Sequence, residues 1–303
     1  MNIKHSLAAI AQKLETAGID NAGLEAELLI CRVLKKQREF ILAYPELALN
    51  SSQKRALEKL VTRRMAHEPL AYLLGKQQFY NIDLVVNKKV LIPRPETELL
   101  VELVLKNKAE SDATILDVGT GSGAIIIALA KNMSGDYKFI ATDISSKALS
   151  LAKDNAKANE QREKIEFIKS DLLKKLLKKK NWTTSKNLVI VTNLPYVESD
   201  WQKELTPNQI EELKYEPALA LFAGADGFDL YRKLAEEIKT LIKKFELKVE
   251  LYCEIAPTQA NLFSHTFSEL GAVSLERDLT GRIRVGVMKH FQKLICVIKI
   301  KAT

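Results

Sequence analysis

The sequence predicts an α/β fold with a mostly parallel sheet, preceded by a small helical bundle and a β-hairpin. From about residue 113, short apolar segments typical of buried strands alternate with segments of helical periodicity. Up to residue 68, apolar residues recur at the helical spacings of three and four, as at Leu7, Ile10, Ala11 and Leu14. Several predicted strands end abruptly at a polar residue, which is the edge where open α/β sheets bind ligands.

The composition is that of an ordinary globular protein. The 303 residues are 47% hydrophobic and carry 46 Lys and Arg against 38 Asp and Glu, a formal net charge of +8. No apolar run approaches the roughly 20 residues that span a membrane. Cys31, Cys253 and Cys296 are far apart and form no Cys-x-x-Cys pair. We therefore expect a cytoplasmic protein with neither a membrane partner nor a metal site.

The chain divides into four predicted segments in order. These are a helical domain at 1–68, a β-hairpin linker at 69–93, the α/β domain at 94–288 and a tail at 289–303. In the linker, Phe79 to Val86 and Val90 to Ile92 are predicted to be strands around a turn at Asn87–Lys89.

The α/β domain is predicted to begin with a stiff loop, Ile92-Pro93-Arg94-Pro95-Glu96-Thr97-Glu98, whose polar density on a proline-fixed backbone suggests a lip over a site. The predicted helices that follow are 99–105, 124–130, 145–159, 227–245 and 257–270. The predicted strands are 114–118, 138–142, 165–169, 188–191 and 248–253, with two more within 272–287.

A glycine-rich segment, Gly119-Thr120-Gly121-Ser122-Gly123, follows the first of these strands and begins a helix. Glycines at such a turn let backbone N–H groups approach a ligand closely. The spacing differs from the dinucleotide pattern G-x-G-x-x-G, because Ala124 stands where the third glycine is required. NAD is therefore the weaker interpretation.

Three consecutive strands each bring an acidic residue to this edge. Asp117 precedes the glycines inside the first strand, Asp143 follows the second and Asp171 follows the third. An acid at the position of Asp143 can accept hydrogen bonds from both hydroxyls of a ribose. Asp171 can accept from the exocyclic amine of adenine. Together they indicate an adenosine ligand with a cationic group and an amino-acid tail, S-adenosylmethionine.

The fourth strand ends in Asn193-Leu194-Pro195-Tyr196. Asn193 brings an amide that donates and accepts hydrogen bonds, Pro195 stiffens the turn and Tyr196 adds an aromatic face. These features suit a small pocket for a planar, polar, uncharged group.

In combination, the motifs resemble the HemK/PrmC methyltransferases over about residues 5 to 288. The resemblance is carried by Ile92–Glu98, Asp117–Gly123, Asn193-x-Pro195-Tyr196, Tyr215-Glu216-Pro217 and Ala220–Gly224. It implies a class I S-adenosylmethionine-dependent methyltransferase, with a Rossmann-like seven-stranded sheet at 94–288 and a helical release-factor-recognition domain at 1–68. The implied reaction is N5-methylation of the glutamine in the Gly-Gly-Gln motif of class 1 peptide chain release factors, which act in translation termination.

The candidate site residues follow from the motifs and the resemblance together. The candidate catalytic residues are Asn193, Leu194, Pro195 and Tyr196. The candidate cofactor-binding residues are Asp117, Gly119, Thr120, Gly121, Ser122, Gly123, Asp143, Asp171, Leu172 and Asn193.

Three features depart from the family pattern. Leu194 stands where the family usually has proline, and Ala256 stands where a glycine is expected. The tail beyond residue 288 is also longer than expected. The resemblance implies that the family uses the residue at 194 through its backbone carbonyl, which leucine retains.

Other substrates fit the tetrapeptide alone. Asn-x-Pro-Tyr also occurs in enzymes that methylate adenine N6 or guanine N2, whose exocyclic nitrogens are similarly poor nucleophiles. A glutamine of a ribosomal protein is another alternative, and a non-catalytic adenosine-binding scaffold is a third. The predicted helical domain lacks a dense basic patch with interleaved aromatic residues, so no direct nucleic-acid substrate is expected.

Overall fold

The computed structural model describes residues 2–107, 109–183, 185–198 and 206–290. The described residues separate into two compact units: 2–93 with 206–221, and 94–198 with 222–290. Residues 291–303, most of the predicted tail, lie outside the described residues.

The helices and strands in chain order are as follows. The helices are α1 Ile3–Thr16, α2 Ala22–Leu34, α3 Arg38–Ala43, α4 Ser51–Met65, α5 Leu70–Leu74, α6 Glu98–Asn107, α7 Ala124–Asn132, α8 Ser146–Ala158, α9 Lys174–Lys178, α10 Pro207–Leu213, α11 Asp229–Phe245 and α12 Ala260–Phe267. The strands are β1 Lys76–Phe79, β2 Ile82–Val85, β3 Thr114–Val118, β4 Lys138–Asp143, β5 Ile165–Lys169, β6 Asn187–Thr192, β7 Lys248–Glu254, β8 Ala272–Arg277 and β9 Ile283–His290.

The first unit is built on amphipathic helices. The periodic residues Ile10 and Leu14 of α1 are buried in one apolar core with α2 and α4. Asn2 caps α1 by accepting the His5 N–H at 2.9 Å, and Asn50 and Gln53 form a capping box at the start of α4. The caps satisfy backbone donors that the first turn of a helix leaves unpaired.

The hairpin lies earlier in the chain than predicted. β1 and β2 pair antiparallel around a two-residue turn at Tyr80 and Asn81, whose φ angles are 43° and 59°. Positive φ at both positions gives a turn whose twist matches the twist of the flanking strands. The predicted turn at Asn87–Lys89 is no hairpin: the Asn87 side chain accepts the Lys89 N–H at 3.0 Å and closes a local turn.

The segment 206–221 packs with the helices of the first unit, although it lies within the predicted 94–288 segment. The buried guanidinium of Arg64 pairs with Glu25 at 2.6 Å and with Glu212 of α10 at 2.7 Å. Glu216 accepts the Ile92 N–H at 3.1 Å. No residue of α10 is buried, which explains why hydrophobic periodicity did not reveal this segment.

The second unit contains the predicted seven-stranded sheet, in the order β5-β4-β3-β6-β7-β9-β8. The first five strands of that order are parallel, and β9 runs antiparallel to both β7 and β8. All five residues of β3 are buried, as expected for a strand covered on both faces. From β3, the chain first adds β4 and β5 on one side of the sheet and then adds β6 and β7 on the other side. The boundary between β3 and β6 is therefore a topological switch point.

The register of the sheet aligns three strand ends. Val118 lies opposite Thr192, and Thr192 lies opposite Cys253. The residues that directly follow these three positions in the chain are Gly119, Asn193 and Glu254. Residues that are far apart in the sequence thus meet at one edge of the sheet.

Candidate active site

The glycine loop between β3 and α7 is fixed by its backbone. The N–H groups of Gly119 and Thr120 both donate to the carbonyl oxygen of Thr142, each at 2.9 Å. Gly121 has a φ of 55°, and a Cβ built there would meet nothing within 4 Å. The positive φ favours glycine, and the open space above the loop leaves room for a ligand.

The other loop residues are held by side chains from within the unit. The Thr120 hydroxyl donates to Asp117 Oδ2 at 2.6 Å, and the Asn155 side chain donates to the Ser122 carbonyl oxygen at 2.9 Å. Gly123 has a φ of 84°, which favours glycine, and a Cβ there would approach Ala152 Cβ of α8 to 3.2 Å.

Two carboxyl groups lie together at this edge. Asp143 accepts the Gly121 N–H on Oδ2 at 2.9 Å and the Ser145 N–H on Oδ1 at 2.7 Å. Burial raises the pKa of Asp143 despite these bonds. Burial, with a contribution from the Asp143 charge, raises the pKa of Asp117 to about 7. Such a pair of acids favours a cationic ligand.

Asp117 also leaves an acceptor unused. Its side chain is fully buried, and its Oδ1 has no hydrogen-bond partner among the described residues. A buried polar atom without a partner is costly in a folded protein and is usually explained by a ligand or water. Together with the open glycine loop, this orphaned oxygen fits a cationic nucleoside ligand. We call Asp117–Gly123 with Asp143 the glycine edge.

The third predicted acid stands apart. Asp171 follows β5, its side chain is 44% exposed and its carboxylate pairs with Lys174 Nζ. Leu172 has a φ of 45° and is buried in the main core of the unit. The strand end is joined to the glycine edge through the Ser170 N–H, which donates to the Asp143 carbonyl oxygen at 3.0 Å.

The side chain of Asn193 is held by the proline-rich loop. Its Nδ2 donates to Thr97 Oγ1 at 3.1 Å, and the Thr97 hydroxyl donates to Glu254 Oε2 at 2.5 Å. Thr97 lies in a short 3₁₀ turn, Pro95–Thr97, which the two prolines of the loop prepare. Within the described residues, no hydrogen bond reaches Asn193 Oδ1 or the Leu194 carbonyl oxygen.

Glu254 ties the aromatic residue to the same network. The Tyr196 hydroxyl donates to Glu254 Oε1 at 3.0 Å. Burial raises the pKa of Glu254, while the Thr97 and Tyr196 hydrogen bonds oppose that rise. The Glu254 charge in turn raises the pKa of Tyr196 well above its ordinary value. We call Asn193–Tyr196 with Thr97 and Glu254 the asparagine edge.

The backbone of this loop has its own support. Gln259 Nε2 donates to the carbonyl oxygens of Tyr196 at 3.0 Å and Asp226 at 3.1 Å. A Cβ at Gly227 would lie 2.1 Å from the Tyr196 carbonyl oxygen, so the two segments approach as closely as glycine permits. The loop is therefore fixed on both its side-chain and backbone faces.

Leu194 joins the two edges. Its side chain is buried in the main core, and its Cδ2 would lie 3.0 Å from a Cβ at Gly119. The buried Tyr231 hydroxyl donates to the Glu254 carbonyl oxygen and also interacts with the Leu194 backbone. Leucine at this position thus contributes apolar packing that a proline ring has too little volume to reproduce.

The departure at Ala256 has no conformational cost. Its φ of −67° and ψ of 146° are extended values that any L-residue adopts. Its N–H donates to Gln259 Oε1 at 3.1 Å, so the alanine lies within the support of the Tyr196 loop.

No functional role was predicted for Thr97 or Glu254 from the sequence. Thr97 was included only as part of the proline-rich loop, and Glu254 directly follows the predicted strand 248–253. One feature of the sequence could have indicated the contact. Glu254 lies at the carboxyl end of a predicted parallel strand, and Asn193 and Gly119 lie just beyond the ends of two others. Which strands neighbour one another is not visible in a single sequence, so the contact was missed.

The family model of the PrmC N-terminal domain matches residues 5–75, and that of a methyltransferase domain matches residues 109–264. A release factor glutamine methyltransferase of Coxiella burnetii is 39% identical over 243 residues, which cover 80% of this chain and 82% of that protein. This chain belongs to the HemK/PrmC methyltransferase family.

Two further relatives differ in how much of their own length this chain matches. The release factor glutamine methyltransferase of Streptococcus pneumoniae is 38% identical over 81% of this chain and 84% of its own length. A bifunctional methyltransferase of Rickettsia bellii is 34% identical over 91% of this chain, but the match covers only 52% of that protein. The chain therefore spans about half the length of the bifunctional relatives it matches.

Solved structures share the fold at low identity. The catalytic domain of hMettl16, solved in complex with MAT2A 3′UTR hairpin 6, is 15% identical with a TM-score of 0.52, covering 77% of this chain and 82% of that one. This likeness supports a class I methyltransferase fold and nothing finer. In the described part of the chain, no helix has the length and apolarity needed to cross a membrane.

Proposed function

We propose that this chain transfers a methyl group from S-adenosylmethionine to the side-chain N5 of the glutamine in the Gly-Gly-Gln motif of class 1 peptide chain release factors. The observation that carries the proposal is the fixed amide of Asn193. Its nitrogen is engaged by Thr97, and its oxygen and the Leu194 carbonyl oxygen remain as two acceptors. Family membership and the release factor glutamine methyltransferases at 38–39% identity support the choice of substrate.

The glycine edge is proposed to hold the cofactor. Asp143 is the candidate for the ribose hydroxyls, the Gly119–Gly123 backbone for close approach, and Asp117 for a cationic part of the ligand. Asp171 and Leu172 are the candidates near the adenine. The orphaned Asp117 oxygen and the open space above Gly121 support this assignment. When bound, S-adenosylmethionine supplies an electrophilic sulfonium methyl group.

The asparagine edge is proposed to hold the acceptor. A glutamine amide nitrogen is a poor nucleophile, because its lone pair is delocalised into the carbonyl group. Asn193 Oδ1 and the Leu194 carbonyl oxygen each accept one amide N–H, which orients the nitrogen and favours a more localised lone pair. Tyr196, held through its hydroxyl by Glu254, presents its ring to the amide plane.

The chemistry required of the protein is then modest. Transfer is an in-line displacement that is accelerated by positioning and by dipoles fixed before the reaction. As the C–N bond forms, the bond between sulfur and the methyl group would break and S-adenosylhomocysteine would be the leaving group. One N–H proton becomes acidic only at that stage and would pass to water, so no strong base is needed. Because Leu194 packs at Gly119, the acceptor loop and the glycine loop are in contact, as a direct transfer between them requires.

Intact-mass analysis tests the proposal. Incubation of the protein with S-adenosylmethionine and a bacterial class 1 release factor should add one methyl group, and fragmentation should place it on the Gly-Gly-Gln glutamine. A release factor with that glutamine replaced by asparagine is the matched control and should gain none. Ribosomal proteins, DNA and RNA should be poor acceptors, and a rate on any of them equal to that on the release factor would overturn the substrate assignment.

A further inference from the structure

Two buried side chains contact neither the acceptor nor the cofactor in the reaction scheme above, yet they are linked to Asn193. Thr97 is 4% exposed and Glu254 is 1% exposed, and they connect in series to the Asn193 amide. We propose that Thr97 and Glu254 are positioning residues that lock the Asn193 side chain with its oxygen toward the methyl acceptor. The inference deepens the proposed function and rests on it for the identity of the reaction.

The lock follows from counting donors and acceptors. The Thr97 and Tyr196 hydroxyls each donate to one oxygen of Glu254, which is the arrangement that an ionised carboxylate requires, because it only accepts hydrogen bonds. Having used its one proton, the Thr97 oxygen can only accept from Asn193. It therefore selects the Asn193 NH₂ group and rejects the amide oxygen. The orientation of a side-chain amide is often ambiguous. Here it is determined by the Glu254 carboxylate, which lies two hydrogen bonds away.

The surroundings of Glu254 bear on that charge. Burial, with a smaller contribution from the Glu96 carboxylate, raises the pKa of Glu254, whereas the Thr97 and Tyr196 hydroxyl donors and the Arg284 guanidinium oppose that rise. The Tyr231 hydroxyl donates a hydrogen bond to the backbone carbonyl oxygen of Glu254. Hydrogen bonds thus hold both the backbone and the side chain of Glu254, so its carboxylate has a defined position from which it can orient Thr97.

The alternative orientation would be unproductive. If the Asn193 amide turned over, its NH₂ group would face the glutamine NH₂, and two donors would meet. A misplaced contact at a reacting centre costs on the order of 10²-fold in rate. Because Asn193 itself remains present, we expect the loss in kcat rather than in cofactor binding.

The test is a series of substitutions at position 97. Thr97→Val keeps the shape but removes the hydroxyl, and it should lower single-turnover methyl transfer by about 10²-fold. Thr97→Ser keeps the hydroxyl and should restore transfer to within about threefold of the wild type. Glu254→Gln gives the side chain a donor of its own, which removes the directionality, so it should resemble Thr97→Val. In all three variants the dissociation constant of S-adenosylmethionine should stay within about threefold of the wild type.

Thr192→Val is the matched control. The buried Thr192 hydroxyl donates to the Val118 carbonyl oxygen at 2.7 Å, one residue before Asn193, but it does not reach the Asn193 amide. The same substitution there should lower stability while leaving kcat within about threefold. A kcat loss at Thr192 equal to that at Thr97 would mean that any buried hydroxyl at this strand end matters, and would overturn the positioning role.

A second readout does not depend on the acceptor. The Asn193 side-chain NH₂ signal, assigned by its absence in Asn193→Ala, should shift and exchange faster with solvent in Thr97→Val but not in Thr97→Ser. An unchanged signal, or an unchanged kcat, in Thr97→Val overturns the inference. A wild-type protein that fails to methylate release factor overturns the proposed function instead, and the NH₂ signal then decides the positioning role alone.

Discussion

The glycine edge and the asparagine edge lie side by side on one sheet but are built in different ways. The glycine edge is local: Thr120 bonds Asp117 three positions away, and Gly121 bonds Asp143 22 positions away. The asparagine edge is assembled from distant segments: Asn193 bonds Thr97 across 96 positions, and Thr97 bonds Glu254 across 157. The first edge is mainly backbone and carboxylate, whereas the second depends on a chain of side-chain hydrogen bonds.

This difference suggests a division of labour. A rigid local turn with paired acids suits tight recognition of one constant ligand, since its geometry is set by a few neighbouring residues. A network of side chains from three segments suits the alignment of an acceptor, where small displacements change the rate. Substitutions at the first edge should therefore change affinity, and substitutions at the second should change kcat.

The largest expected effect is at the asparagine edge. Asn193→Ala should lower single-turnover transfer by about 10²–10³-fold, because it removes a preorganised polar contact at the reacting centre. The S-adenosylmethionine dissociation constant, measured by calorimetry, should change by less than about threefold. Near-normal turnover in this variant would contradict the role of Asn193.

Leu194→Pro distinguishes the role of the backbone carbonyl group at position 194 from the role of the packed leucine side chain. Loss of most of the buried leucine side chain should lower the free energy of unfolding by about 2–4 kcal/mol, measured in urea. The carbonyl group remains, so the folded enzyme should retain transfer. Leu194→Ala is the control for lost volume, and a proline variant more stable than the wild type would show that packing at Gly119 is unimportant.

At the glycine edge, Asp143→Asn should weaken cofactor binding. Each lost hydrogen bond to a charged group is worth about 1.5–3 kcal/mol, so the dissociation constant should rise about 10- to 100-fold. Asp171→Asn is the comparison variant: since its carboxylate is partly exposed and paired with Lys174, the change should be smaller. An equal effect at both positions would remove the distinction between them.

The smallest expected effect is a pH dependence of stability. The folded pKa of Asp117 is about 7, well above its ordinary value of 3.8, so proton binding favours the folded state. That stabilisation is complete below about pH 4 and is lost as the pH rises through about 7. Between about pH 5.5 and about pH 8, the ligand-free wild type should lose about 1–2 kcal/mol relative to Asp117→Asn. Parallel pH profiles in thermal unfolding would contradict the raised pKa.

The contrast between the edges also explains what the sequence revealed. The seven-stranded sheet was predictable because short strands with apolar runs, such as Leu188–Val191 in β6, alternate with helices. The glycine loop was predictable because its partners are nearby in the sequence. Thr97 and Glu254 were not, since their contacts depend on sheet order and register. The hairpin turn was misplaced because Asn87 and Asn81 are both turn formers, and only strand pairing distinguishes them.

We expect the glycine edge to control cofactor affinity and the asparagine edge to control methyl transfer. The most direct test is single-turnover methylation of a release factor by Asp143→Asn and Asn193→Ala, measured against S-adenosylmethionine concentration up to saturation. We predict that saturating cofactor restores most of the rate of Asp143→Asn and none of the rate of Asn193→Ala. Recovery of Asn193→Ala at high cofactor, or failure of Asp143→Asn to recover, would contradict the account.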